Sequence, residues 1–454
     1  METVAPLSND NKVAKQINEP TWEEENGLKH GEITDAFGNE EYAEIKYKTL
    51  TWWQCGLLMI CESVSLGVLS LPSAMATLGL VPGIILIIGL GILATYTGYN
   101  IGLMRERYPH IQNLGDAGEI LLGPIGREIF GIGQFLFCIF VMGSHLLTFR
   151  VMLNTVTDHA TCSIVFSVVG LIISLVLSFP RTMKGMTWIS FFSFISIFSA
   201  VMITMISVGV QDHPGRVIDA TVSNDLYTAF QAVSNIVFAY CAHVAFFGLI
   251  SEMEKPQDFK KSLFMLQGFE ICLYLCASIV IYYYVGSEVE APALKSAGPL
   301  MKKIAFGIAI PTIIGAGVVN GHIGLKYIYF RLGHKSGLIH QSNWRSIGLW
   351  LALGVSCWVV AWIIAEAIPV FSDLNGLISA LFASWFSYGL SGIYWLHLNK
   401  GQWFAGPRKI ALFCLNSFIA LIGLILCVLG LYASGTAIHN DASNASFTCR
   451  NTDS

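Results

Sequence analysis

Residues 61–72 read Cys61-Glu62-Ser63-Val64-Ser65-Leu66-Gly67-Val68-Leu69-Ser70-Leu71-Pro72, and they lie within an apolar run that extends over residues 51–78. An acid, three serines, a glycine and a proline in the middle of a membrane-length run make a poor straight helix. Pro72 removes a backbone donor and Gly67 loosens the chain. The composition therefore predicts a break near residues 62–67. Freed backbone groups persist at that depth only where they line a cavity or are buried in protein. The N-terminus of a second half-helix would then direct unpaired N–H groups and a partial positive charge at a carboxylate. The alternative reading is a proline kink whose serines bond their own helix.

The rest of the chain supplies the setting. Of its 454 residues, 54% are hydrophobic and 12% charged, whereas a soluble domain carries about 25% charged residues. The apolar residues gather into stretches of about 19 to 27, enough for a helix to cross roughly 30 Å of hydrocarbon. Eleven candidate spans follow: 51–78, 80–104, 129–153, 162–180, 186–210, 226–250, 263–286, 304–330, 346–368, 374–398 and 409–433. Residues 1–50 are acid-rich, poor in large apolar side chains and without the pattern of a cleavable leader, so they read as a disordered cytoplasmic tail. Residues 51–433 form the transmembrane domain and residues 434–454 a second tail. The connection 105–128 carries Ile111, Leu114, Ile120 and Leu121 in a pattern that suggests a short amphipathic surface helix, with a plain loop as the alternative.

Basic loops are retained on the cytoplasmic side. With the N-terminus inside, seventeen Lys and Arg side chains fall on the inner side, Arg105, Arg181, Lys260 and Arg331 among them, against five outside. An odd number of spans then puts the C-terminal tail outside. That tail holds Asn444-Ala445-Ser446, an N-glycosylation sequon useful only on an extracellular or lumenal face. Nine of the eleven cysteines lie in apolar runs and read as small core hydrophobes. Cys162 and Cys449 fall near the same outer face, which allows one disulfide between them.

The sixth span has a second, weaker interruption at Asn235-Ile236-Val237-Phe238-Ala239-Tyr240-Cys241-Ala242-His243. Spans one and six each open one half of a five-plus-five inverted repeat, and paired broken helices at matching places point to a transporter site. Several further runs carry a family resemblance: Ser65 to Pro72, Phe238 to His243, Glu252-Met253-Glu254-Lys255-Pro256, and the stretches between Ala365 and Leu390. In combination these resemble the amino acid/auxin permease family of the amino acid-polyamine-organocation superfamily, most of all its fungal neutral amino acid permeases. The resemblance covers roughly residues 45–435. It implies an all-α, eleven-span LeuT-like fold and uptake of neutral aliphatic and aromatic amino acids coupled to protons or sodium. It also implies that the backbone around Ser63, Val64, Ser65 and Gly67 holds the substrate's amino and carboxylate groups, and that Phe238, Ala239, Tyr240 and His243 shape the side-chain pocket. Sodium-dependent members often carry Asn early in span one. Glu62 occupies that neighbourhood here, which favours protons.

Ionisable residues are costly in lipid, so each is a functional candidate. Glu62 leads as substrate contact and proton-coupling group. Its alternatives are an ion pair with a buried base such as Lys326, or a hydrogen bond that holds the broken helix. His243 and His322 are further proton-coupling candidates, with a satisfied core histidine as the alternative for each. Arg150, Glu270, Glu366 and His397 fall nearer helix ends, where long side chains snorkel. Trp385 and Phe386 are candidate gating rings, or part of the interfacial belt.

The chain has no Gly-Lys dipeptide and so no nucleotide-binding loop, and it lacks HExxH, GxSxG and CxxC. An enzyme and a nucleotide-driven pump are therefore disfavoured, and no cofactor or metal is expected. An ion gradient suffices: about 100 mV gives roughly 2.3 kcal/mol per charge and one pH unit about 1.4 kcal/mol, together supporting accumulation of roughly several hundredfold. The expected setting is the plasma membrane, with a vacuolar or other endomembrane as alternative. The expected partners are an amino acid, protons, lipid and ubiquitin-ligase machinery at the N-terminal tail. A sensor and an uncoupled exporter remain alternative functions of the same pocket.

Overall fold

The computed structural model describes residues 46–181, 183–211, 213–333, 343–441 and 446–449. The first 45 residues and Asn444 lie outside these, so the expectations of a cytoplasmic tail with a ubiquitin-ligase partner and of a glycosylation site fall outside the described residues. Helices make up nearly all the regular structure; one isolated bridge joins Leu50 to Met253.

The helices are α1 (Trp52–Leu78), α2 (Leu80–Arg107), α3 (Leu114–Thr157), α4 (Ser163–Leu177), α5 (Met183–Val210), α6 (Leu226–Ala239), α7 (His243–Ser251), α8 (Phe259–Val285), α9 (Pro299–Gly333), α10 (Trp344–Ala367), α11 (Phe371–Ile378), α12 (Leu390–Leu398) and α13 (Pro407–Asp441). A π-helical stretch, Ser379–Gly389, joins α11 to α12. Among the described residues, ten spans are long and apolar enough to cross a membrane; α6 with α7, and α11 with α12, each count as one. The helix α4 is apolar but only 15 residues long.

Burial sorts these spans into centre and rim. The most apolar window of α1 is wholly buried and that of the α6–α7 span 89% buried, against 22% for α13 and 28% for α10. An all-round hydrophobic helix is stable in the middle of a bundle, and α1 sits there, packed on α5, α6, α8 and α9. The rim helices turn Ile, Leu, Val and Phe outward, as lipid contact requires. Cys272, Cys276 and Cys414 lie on such exposed faces, not in the core as their apolar runs suggested.

The first span departs from expectation: α1 runs unbroken from Trp52 to Leu78, with no interruption at residues 62–67. Its hydroxyls bond their own helix, Ser70 Oγ donating to the Gly67 carbonyl at 2.9 Å and Ser73 Oγ to that of Ser70 at 2.9 Å. Pro72 is thus absorbed within a continuous helix, which ends at Gly79 (φ 92°). The sixth span is broken. α6 stops at Ala239 and α7 starts at His243, and the intervening turn is closed by short i→i−3 bonds such as Cys241 N–H to the Phe238 carbonyl at 3.2 Å. The short helix expected within 105–128 is present as the first part of α3. It is capped by Asn113, whose side chain accepts from Asp116 N–H at 3.1 Å, and separated from the long part by Gly123 (φ 66°) ahead of Pro124.

Candidate substrate and coupling site

The break in span six leaves the Ala239 carbonyl without its helical partner, since the chain turns before His243 can supply it. Two side chains from neighbouring spans take its place. Ser63 Oγ of α1 donates at 3.1 Å and Tyr274 Oη of α8 at 2.9 Å. A buried orphan carbonyl costs about as much as a lost hydrogen bond, so these donors hold the break open. Gly67 allows the approach: a Cβ there would stand 2.8 Å from the Ala239 Cα and 3.0 Å from Tyr274 Oη. The glycine lets α1 and the break touch; it does not unwind α1.

The expected site residues divide into groups. Glu62, Ser63, Val64, Ser65, Phe238, Ala239 and Tyr240 are all buried around the α1–α6 contact. Glu62 Oε2 and Ser65 Oγ are buried without a hydrogen-bond partner, and the Asn320 amide of α9, which donates to the Ala316 carbonyl at 3.1 Å, lies near the Glu62 carboxyl. Lys326 pairs with Glu252 and is thereby removed as the counter-charge for Glu62. Tyr240 Oη donates to the Ile87 carbonyl at 2.9 Å, and its ring meets Tyr274 edge-on at 5.2 Å.

His243 faces α2. Its Nε2 lies 2.9 Å from the Ala94 carbonyl and 3.0 Å from Thr97 Oγ1, which fastens the start of α7 to α2. His322 stands apart from the break. Its ring is edge-on to Trp350 at 5.3 Å, and its other neighbours are Pro180, Arg181 and Lys326. Phe386 stacks on Phe382 at 6.3 Å within the π-helical stretch and is buried, away from any interfacial belt.

Glu270 is the main residue missed. It is the twelfth residue of α8, about 17 Å along the helix at 1.5 Å per residue, and fully buried. The helix starts at Phe259, four residues before the expected span, so Glu270 lies near the middle of the helix and not near an end. Arg150 and Glu366 likewise do not snorkel: they form a buried ion pair at 3.2 Å. Asn320 and Tyr274 carried no signal beyond being polar in an apolar run.

At the end of the bundle where α1 starts, the backbone N–H groups of Thr49 and Leu50 donate to the Glu252 carbonyl at 3.0 and 2.9 Å. A cavity of about 500 Å³ opens nearby, lined by Lys48, Tyr99, Arg105, Glu106 and Lys260 among others. Burial, and then the charge of Arg105, lower the Lys48 ammonium from its ordinary value. At the opposite end Cys162 and Cys449 are joined in a disulfide, Cα–Cα 4.4 Å, as the placement of both near one face allowed.

A multi-span helical bundle with a broken central helix and buried carboxyls beside the break has the architecture of a membrane transporter. The chain belongs to the family of transmembrane amino acid transporter proteins, whose model matches residues 48–436. It is 37% identical to the N amino acid transport system protein of Neurospora crassa, over 89% of this chain and 88% of that one. It is 20% identical to auxin transporter-like protein 4 of Medicago truncatula, over 77% of this chain and 75% of the other. Its fold is that of Mhp1, a nucleobase-cation-symport-1 family transporter in a closed conformation with bromovinylhydantoin bound. The TM-score is 0.53 at 14% identity, with 88% of this chain and 96% of Mhp1 covered.

Proposed function

We propose that this multi-pass membrane protein is a secondary active transporter that imports neutral aliphatic and aromatic amino acids across the plasma membrane by proton symport. The carrying observation is Glu62: a carboxyl buried in the central helix, one oxygen without a partner, beside the break whose carbonyl Ser63 and Tyr274 hold. A carboxyl in such surroundings favours its neutral form, so proton loading and release accompany any change in its exposure. The Neurospora relative supports the amino acid as cargo. Residues 63–67 and 238–240 surround the proposed substrate position.

We read the bundle as eleven spans in a LeuT-like five-plus-five arrangement, with α4 as the short fourth span and the start of α1 facing the cytoplasm. Charges assigned to the same side meet in pairs, which supports the grouping of these loops on shared faces of the bundle. Lys260 binds Glu106 at 3.1 Å and Arg331 binds Glu128 at 2.6 Å on the side taken as inner, while Lys303 pairs with Asp158 on the other.

The test is Glu62→Gln, assayed in proteoliposomes for uptake and counterflow side by side. The neutral amide mimics the loaded state, so counterflow should persist while accumulation driven by an inward proton gradient is lost. If the variant still concentrates substrate in response to a pH gradient, Glu62 is not the coupling group. A sensor or an uncoupled exporter would use the same pocket, and uptake by the purified wild-type protein separates both from this reading.

A further inference from the structure

The donors around Glu270 are already spent. Ser63 and Tyr274 lie close to its carboxyl, yet each has one hydroxyl proton: that of Ser63 is directed at the Ala239 carbonyl, and that of Tyr274 is shared between the carbonyls of Ala239 at 2.9 Å and Ser63 at 3.3 Å. Tyr240, also close, gives its proton to the Ile87 carbonyl. Neither oxygen of Glu270 has a hydrogen-bond partner, and the residue is fully buried. An ionised carboxylate in such a place would be a bare charge in low dielectric, which is prohibitively costly. A neutral carboxylic acid fits, because it supplies the missing donor itself and the hydroxyl oxygens of Ser63 and Tyr274 can accept.

The titratable groups within electrostatic reach of Glu270 offer no counter-charge. Glu62 acts on it from α1, Tyr240 and Cys241 from the break, Tyr388 from the π-helical stretch of span ten, and Tyr274 from α8 itself. No basic side chain is among these neighbours. Two carboxyls that feel each other's charge cannot readily both ionise in one buried site.

We propose that Glu270 and Glu62 form one proton-carrying carboxyl pair at the α1–α8 contact, where Tyr274, one turn on from Glu270, donates to the carbonyls of Ala239 and Ser63, so that the proton driving transport is held jointly by α1 and α8. This rests on the reading of Glu62 as the coupling group. It extends that reading to a second helix, and it makes opening of the break, which would free the Ser63 and Tyr274 hydroxyls, the event that allows the pair to ionise. A proton taken up by the pair from one side is given up to the other, and no other bond changes.

The experiment compares Glu62→Gln, Glu270→Gln and Glu270→Asp in proteoliposomes, alongside carbodiimide labelling of the wild-type protein read by peptide mass spectrometry. Glu270→Gln should retain counterflow and lose proton-driven accumulation, down to about the onefold level expected when a pH difference of tenfold in proton activity does no work. Glu270→Asp should restore part of the accumulation. In the wild type, carbodiimide should modify Glu270 more slowly as pH rises. If Glu270→Gln concentrates substrate like the wild type while Glu62→Gln does not, the pair is refuted and the Glu62 reading stands. If Glu270→Gln fails and Glu62→Gln does not, the proton belongs to Glu270 alone and both statements about Glu62 fall. Loss of substrate binding in a folded Glu270→Gln protein would instead make this carboxyl the counter-charge of the substrate ammonium, and would overturn the proposal. Should the Gln variant not fold, pH-independent labelling of wild-type Glu270, or none at all, overturns it equally.

Discussion

Lys326 on α9 and Glu252 at the end of α7 form a buried ion pair that also ties down the chain leading into α1. The ammonium stands 4.7 Å from the ring centroid of Tyr47, and the Glu252 carbonyl takes the N–H groups of Thr49 and Leu50. Spans one, six and eight are therefore latched together at the end proposed to face the cytoplasm.

Removing one member of a buried ion pair costs about 3–5 kcal/mol. Lys326→Met should loosen the latch and expose the start of α1. Cys55 reports on this, since it is fully buried one turn into α1 against Ser262. Maleimide labelling of Cys55, quantified by mass spectrometry, should rise at least about tenfold over wild type, the factor that 1.4 kcal/mol of added opening would give. An unchanged labelling rate would mean that the pair does not hold this end shut.

Gly67 sets the distance between α1 and the break. Ala at this position would force its Cβ to 2.8 Å from backbone, which cannot yield as a flexible side chain can. Overpacking costs about 1–3 kcal/mol. Gly67→Ala is expected to reach the membrane in normal amounts and to lower uptake roughly tenfold, with Gly67→Leu inactive. Wild-type uptake by Gly67→Ala would show that α1 and Ala239 are not this close in the working protein.

The contrast between spans one and six shows what the sequence could and could not convey. Hydropathy made the spans legible, because lipid imposes length and apolarity on each helix separately. Gly67 and Pro72 were read as chain breakers, yet Ser70 and Ser73 satisfy carbonyls within α1 and the helix continues. The break in span six has neither glycine nor proline. It is held by Ser63 and Tyr274, residues 176 and 35 positions from Ala239, and a tertiary cap of this kind leaves no local signature. Glu62 was legible as an acid in a membrane span. Glu270 was set aside because the start of α8 was placed four residues late, which moved a mid-helix carboxyl toward a helix end.

The C-terminal tail is held across the far end of α10. Cys449 is joined to Cys162, Phe447 N–H donates to the Glu366 carbonyl at 3.3 Å, and Ser446 Oγ donates to that of Ala367 at 3.0 Å. Cys449→Ser should lower thermal stability by about 2–4 kcal/mol. Because both cysteines act through one bond, Cys162→Ser and the double variant should match it within about 0.5 kcal/mol. Additive losses in the double variant would show that the two thiols act separately.

The last prediction concerns Arg150 and Glu366, which share with Glu62 and Glu270 the cost of burial but differ in being paired. Arg150 Nη1 meets Glu366 Oε2 at 3.2 Å and its Nη2 donates to the Pro369 carbonyl at 3.3 Å. Glu366 Oε1 accepts from Ser167 Oγ at 2.5 Å, and Trp362 Nε1 donates to that same hydroxyl at 3.1 Å. Such a pair has its charges answered within the protein, so it has no need of a transported proton. Its desolvation cost is largely offset by the mutual attraction, and replacing both members with apolar groups of similar volume is often neutral or stabilising, whereas removing one costs about 3–5 kcal/mol. Arg150→Met should therefore melt well below the wild type, and Arg150→Met with Glu366→Leu should recover most of that loss. The double variant should also retain proton-driven accumulation, which neither Glu62→Gln nor Glu270→Gln is expected to do. Thermal melts in detergent and uptake in proteoliposomes decide the matter together: a double variant that is stable but no longer concentrates substrate would place Arg150 and Glu366 in the coupling pathway.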